Sequence, residues 1–206
     1  MTRPRRVRPI LALTLLDTLR IRDRPDEFLM QEDPSVTLPR RLGLSTVVSS
    51  QIDRYEQAVK TREQLREDEV APLVALVLRR DDAPEVMKTV GQRLASDSVG
   101  LLGWKRLLPG GLRVWAGRRQ VGAALKGLFP GLQATSDRGE VVLSGRDHFL
   151  IRAAPGGEAC AVVAGFGVHG MERLIGGTWR AEHSQCLGSG GSECTWRVTT
   201  FNESGE

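Results

Sequence analysis

Apolar positions along this chain run at helical spacing through its first two thirds and shift to alternation after residue 139, with one helical stretch set inside the alternating part. From Ser45 onward Val48, Ile52, Tyr55 and Val59 recur every three or four residues, and a charged stretch to Glu69 leads into a second apolar helix over residues 70–79. In DDAPEV a third helix starts, because the Asp82 carboxylate can cap orphan amides and Pro84 is tolerated in a first turn. Val86, Val90 and Leu94 supply its buried stripe. Residues 100–131 read as one or two short helices broken at Pro109-Gly110-Gly111. From residue 139, EVVLS and DHFLIRA alternate around Gly145-Arg146 as the two strands of a hairpin. Residues 158–175 return to helical spacing, and strands over about 178–186 and 194–201 follow. Gly165, Gly167 and Gly170 weaken the intrinsic propensity of that last helix. Close packing against the sheet or a second subunit accounts for them, and approach of a ligand is the alternative. The order is helices, then β-β-α-β-β, an α+β fold with a helical N-terminal half and an antiparallel sheet packed on helices.

A chain of 206 residues holds one well-cored domain plus an arm, or at most two small domains. Three prolines and mixed charge make residues 24–45 a connecting arm. The predicted organisation is a basic arm and linker over 1–45, a single domain over 46–201 with its core at about 85–200, and a disordered tail over 202–206. Apolar content of 40% and charged content of 26% are those of a soluble globular protein. The net charge of +4 resides in Arg3, Arg5, Arg6 and Arg8, which leaves 25 basic against 25 acidic groups elsewhere. The basic start resembles a signal peptide, yet Asp17 and Arg20 interrupt its apolar run and no small-residue cleavage site follows. Nothing approaches the roughly 20 apolar residues needed to span a bilayer. The arm is either a tail whose apolar part docks on the body or a means of reaching an acidic partner or membrane surface.

Between Asp97 and Asp137 lie Lys105, Arg106, Arg113, Arg118, Arg119 and Lys126 and no acid. Such a face is either a solvated helix surface or a basic rim beside an apolar pocket. In the second reading Trp104 and Trp115 line the pocket, and Arg113, Arg118 and Arg119 meet an anionic ligand. The neutral balance of the body makes nucleic acid an unexpected partner.

The sharpest chemistry lies in Cys160, His183, Cys186 and Cys194, which use all three cysteines with one of three histidines. Three of them form His-x2-Cys-x7-Cys in HSQCLGSGGSEC, and Cys160 stands alone upstream. Zinc takes four tetrahedral ligands from thiolate and imidazole, and a Cys3His set supplies them in a closed structural site with no position for a catalytic water. His183 and Cys186 can project from the end of one strand, while Gly188, Gly190 and Gly191 let the backbone return Cys194 to the same ion. The alternative is three buried free cysteines and an unrelated histidine. An odd cysteine count argues against a secreted disulfide framework and for a reducing cytoplasm. His148 and His169 remain for acid–base work, with no nucleophile or carboxylate constellation beside them in sequence. GSGGS lies between cysteines rather than between a strand and a helix, so it is no dinucleotide fingerprint.

The block from roughly 85 to 200 resembles the 4-vinyl reductase domain. Gly139-Glu140-Val141 matches a Gly-Glu-Val strand start, Cys160 a cysteine opening a glycine-containing helix, and Cys186, Cys194 and Trp196-Arg197-Val198 a terminal Cys-x7-Cys followed by an apolar strand. In phenol-sensing activators of that family, zinc is held by three cysteines and an acidic residue, at the position His183 occupies here with Glu182 beside it. The resemblance implies a fold shared with vesicle-tethering transport-particle subunits, homodimerisation, and a zinc-containing sensory or carrier domain for a hydrophobic, aromatic or tetrapyrrole-like molecule. It extends to a stand-alone protein of bacteriochlorophyll synthesis, which here would bind or deliver the pigment intermediate rather than reduce it. Two other readings follow: an assembly or scaffold subunit acting through dimerisation and the basic arm, and a reductase-type enzyme of tetrapyrrole metabolism.

Overall fold

A computed structural model describes residues 5–23, 46–100, 109–137 and 140–201. Arg3, Trp104, Lys105, Arg106, Gly139, the arm at 24–45 and the tail at 202–206 lie outside the described residues. The fold is α+β, with its helices concentrated in the N-terminal half and a β-β-α-β-β arrangement after residue 131. The chain divides into two compact units, Met1–Val70 and Ala71–Glu206.

In the first unit, β1 (Arg6–Val7) pairs antiparallel with β2 (Leu65–Arg66), and α1 (Pro9–Arg22) packs on α2 (Thr46–Thr61). Leu11, Ala12, Leu15 and Leu16 form the buried stripe of α1, and Ile52, Tyr55 and Ala58 that of α2. Residues 5–23, read from the sequence as part of an arm, are therefore folded: Arg6 lies in a strand and Arg8 opens a helix. The unit boundary falls inside α3 (Glu67–Val77).

The second unit is built on α4 (Ala83–Ser98), α5 (Gly110–Leu128), α7 (Ala161–Ile175) and a four-stranded antiparallel sheet. Its strands are β3 (Leu132–Asp137), β4 (Glu140–Gly145), β5 (Trp179–Gln185) and β6 (Cys194–Thr200), in the order β3-β4-β6-β5. Val141, Leu143, Trp196 and Val198 point to one face and are fully buried beneath α7. Val86, Val90 and Leu94 are fully buried on α4, as their spacing predicts. The helix-opening Asp82 makes no side-chain cap; its carboxylate instead takes two hydrogen bonds from Arg80, at 2.7 and 3.2 Å.

Two sequence expectations are corrected. Pro109-Gly110-Gly111 starts a helix, α5, because proline fits ahead of a first turn whose amides have no partner within the helix; the segment 101–108 before it lies outside the described residues. The hairpin is β3–β4 rather than a pair flanking Gly145-Arg146. Phe149–Ala153 is a short helix, α6, because the buried His148 caps it by accepting the Ile151 amide at Nδ1. The glycines of α7 serve helix packing within the chain: a Cβ on Gly165 would sit 2.1 Å from the Lys88 carbonyl oxygen, and one on Gly91 2.0 Å from that of Val162. The backbones of α4 and α7 therefore cross in direct contact.

Candidate metal centre

Cys160, His183, Cys186 and Cys194 converge where the inner face of the sheet meets the start of α7, with one ligand atom from each within 4.8 Å of all the others. Four local devices bring them there. A 3-10 turn, Glu158–Cys160, delivers Cys160 to the N-terminus of α7, where the helix dipole favours a thiolate. Cys194 opens β6 on the same face as Trp196 and Val198, since alternate residues share a face.

His183 and Cys186 require a third device, because residues three apart on a regular strand point to opposite faces. His183 stands opposite Trp196 on the inner face, while Gln185 stands opposite Thr195 on the outer face, so Ser184 is the extra residue of a β-bulge. That single insertion resets the alternation and returns Cys186 to the side of His183. After it, a 3-10 turn at Leu187–Ser189 and the left-handed Gly190 (φ 83°) reverse the chain. The fourth device is Gly157, with φ 90° and a position at which a Cβ would lie 2.4 Å from Cys186 Sγ. Only glycine both adopts that backbone and leaves the sulfur its place.

Cys160 and Cys194 sulfurs are 4.0 Å apart, and those of Cys194 and Cys186 3.9 Å apart. Tetrahedral ligands at zinc–sulfur distances of about 2.3 Å lie about 3.8 Å from one another, so the spacing is that of sulfurs around one ion. No disulfide joins them. The Leu187 amide donates to Cys194 Sγ at 3.5 Å, as backbone amides do to metal-bound thiolates. Burial pushes the Cys160 thiol far up, and the neighbouring Cys194 and Cys186 add to it; burial also raises Cys194. Held as thiols the three are neutral; as thiolates they would need a cation beside them, and a divalent metal would supply one. Burial lowers His183, which keeps its imidazole neutral and able to ligate. Its ring lies flat on Trp196, with centroids 4.7 Å apart and planes 6° from parallel. Glu182, the sequence alternative to His183, stands opposite Arg197 on the other face of the sheet and so points away from the cluster.

Behind Trp196, His148 meets the indole edge-on at 6.0 Å, and burial holds its pKa down at about 4. The sequence reading named Trp196 only as part of an apolar strand and gave it no role at the site, although its place two residues after Cys194 on an alternating strand puts both on one face. It passed over Ser184 and Gly157 as well. A bulge carries no composition signal of its own, and Gly157 is legible only as the glycine immediately before a turn.

The second remaining histidine also has neighbours that sequence distance conceals. His169 Nε2 lies 2.9 Å from Ser96 Oγ, and His169 Nδ1 lies 3.8 Å from Glu172 Oε2. Ser96 Oγ also lies 3.2 Å from the Gln92 carbonyl oxygen on its own helix, and its contact with His169 ties α4 to α7.

The predicted ligand-contact residues are partly assembled. Trp115, Arg118 and Arg119 line one groove of about 430 Å³ with Lys126. Arg113 is not among the lining residues, and its Nε is buried without a hydrogen-bond partner. No protein-family description, curated protein or solved structure matches this chain.

Proposed function

We propose that this chain is a metal-braced binding module in which zinc, held by Cys160, His183, Cys186 and Cys194, ties the end of the sheet to the start of α7. The observation that carries the reading is the convergence of these four side chains, from three separate elements, at sulfur spacings suited to one tetrahedral ion. Three thiolates and a neutral imidazole are a zinc donor set, and filling all four positions leaves the ion structural. When bound, the metal supplies charge compensation and a cross-link; the chain supplies the bulge, the turn and the Leu187 amide that hold the donors in place.

The resemblance to 4-vinyl reductase domains supports a hydrophobic, aromatic or tetrapyrrole-like ligand as the cargo or signal, whose carboxylates Arg118 and Arg119, which line one groove, would meet. Native mass spectrometry of the untagged protein as purified tests both parts. One zinc per chain with a retained organic mass is the expected result. A metal-free chain with three free thiols would remove the brace. Unchanged ligand affinity in Arg118→Ala and Arg119→Ala proteins would remove the carboxylate contact.

A further inference from the structure

The groove of Trp115, Arg118 and Arg119, to which the ligand reading assigns a small molecule, runs along the β3 edge of the sheet, whose backbone that reading does not use. β3 is an outer strand in the order β3-β4-β6-β5, so among the described residues one side of its backbone has no strand partner. Only two residues separate Asp137 from Glu140, and in such a hairpin the flanking pair exchanges both hydrogen bonds. The alternation then makes Thr135 with Val142 and Gln133 with Ser144 the other bonded pairs. Ala134 and Ser136 accordingly direct their amides and carbonyls away from β4.

Alongside that edge runs one face of α5, and its residues are spaced to build a wall. Trp115, Arg119, Gly122 and Lys126 recur every three or four positions and, with Arg118, face Gln133, Ala134 and Thr135 across the groove. Gly122 forms the floor, since a Cβ there would come 2.6 Å from the Cβ of Ala134. Trp115 is 50% exposed, and the Arg119 guanidinium lies 5.1 Å from its ring centroid. Among the described residues, the charged side chains lining the groove are cationic.

We infer that this groove receives an extended acidic peptide segment of a partner protein, added as a fifth strand on β3. The free backbone of Ala134 would supply the strand hydrogen bonds, Lys126 and Arg119 the contacts to carboxylates, and Trp115 an apolar anchor. The same charges select the occupant. A second copy of this edge would bring cation against cation, whereas an acidic strand meets complementary charge along its length. The inference requires neither zinc nor a small ligand.

The test uses the full chain and capped peptides of about twelve residues alternating glutamate or aspartate with valine or isoleucine, followed by fluorescence anisotropy. Binding is expected, weakened about tenfold or more by the double charge reversal Arg119→Glu with Lys126→Glu, and similarly by N-methylation of alternate peptide amides. Hydrogen exchange at the Ala134 amide should slow in the complex. Equal binding of the N-methylated peptide would overturn strand addition and leave only charge attraction. Failure of every peptide to bind below about 1 mM would overturn the inference. Binding of polyphosphate or phosphatidylserine vesicles in place of the peptides would overturn it too.

Discussion

The two outer strands of one sheet are finished in opposite ways. At β5 the edge is closed by its own sequence, since a bulge, a tight turn and four soft donors fold the strand end back onto β6 and α7. At β3 the edge is open, flanked by cations and an exposed tryptophan on α5. At the β5 end two of the four donors, Cys160 and Cys194, are fully buried, so a change there propagates into the fold. The open edge carries its cations at the surface, where an exposed charge is worth little to stability.

The comparison is broken most sharply by deleting Ser184. Without the extra residue Cys186 turns to the outer face, and the deletion should lose metal as completely as Cys186→Ser, read as zinc per chain. Cys194→Ser removes a fully buried donor and should destabilise the second unit by on the order of 4 kcal/mol in the metal-bound protein, or prevent folding. Thermal melting with and without chelator checks this, and chelation should lower the wild-type midpoint while leaving that variant unchanged.

A smaller effect separates neighbours on β5. His183→Ala should weaken metal binding by about 100-fold or more in a competition titration, whereas Glu182→Ala, on the other face, should leave it unchanged. His148 contributes a pH dependence. Its pKa falls from the ordinary 6.5 to about 4 on folding, because burial disfavours the imidazolium. Between those values the unfolded chain binds the extra proton, so the stabilisation is complete above about pH 6.5 and declines as pH falls towards 4, by at most about 3 kcal/mol. His148→Asn, which can still cap α6, should flatten that decline relative to wild type in urea melts at each pH. At the open edge Trp115→Ala should change stability by no more than about 0.5 kcal/mol, since the ring is half exposed and its contact with Arg119 lies at the surface. A larger loss would mean that the groove is part of the core.

Much of the second unit is legible in the sequence where side chains report burial directly. Val86, Val90 and Leu94 mark α4, and alternation around Val198 marks β6, because a helix face and a strand face each impose a fixed period. Legibility fails where a residue's role depends on a distant partner. DHFLIRA alternates well enough for a strand, yet the His148 ring caps the backbone and turns the segment into α6. Pro109-Gly110-Gly111 has the composition of a break and acts as a beginning. Ser96 and His169 stand far apart in the chain and meet only because Gly91 and Gly165 let α4 and α7 touch.

The chain's sequence alone determined the donor chemistry, three thiols and a neutral imidazole, because those side chains carry their affinity wherever they stand. It also determined the succession of α4, α7, β5 and β6, which follows from local periodicity. Whether the donors share one point depended on the tertiary structure: on the bulge at Ser184, the left-handed Gly157 beside the Cys186 sulfur, and the docking of α7 that carries Cys160 to the sheet. The spacing His-x2-Cys is the wrong parity for a regular strand, and only pairing with β6 reveals the extra residue that corrects it.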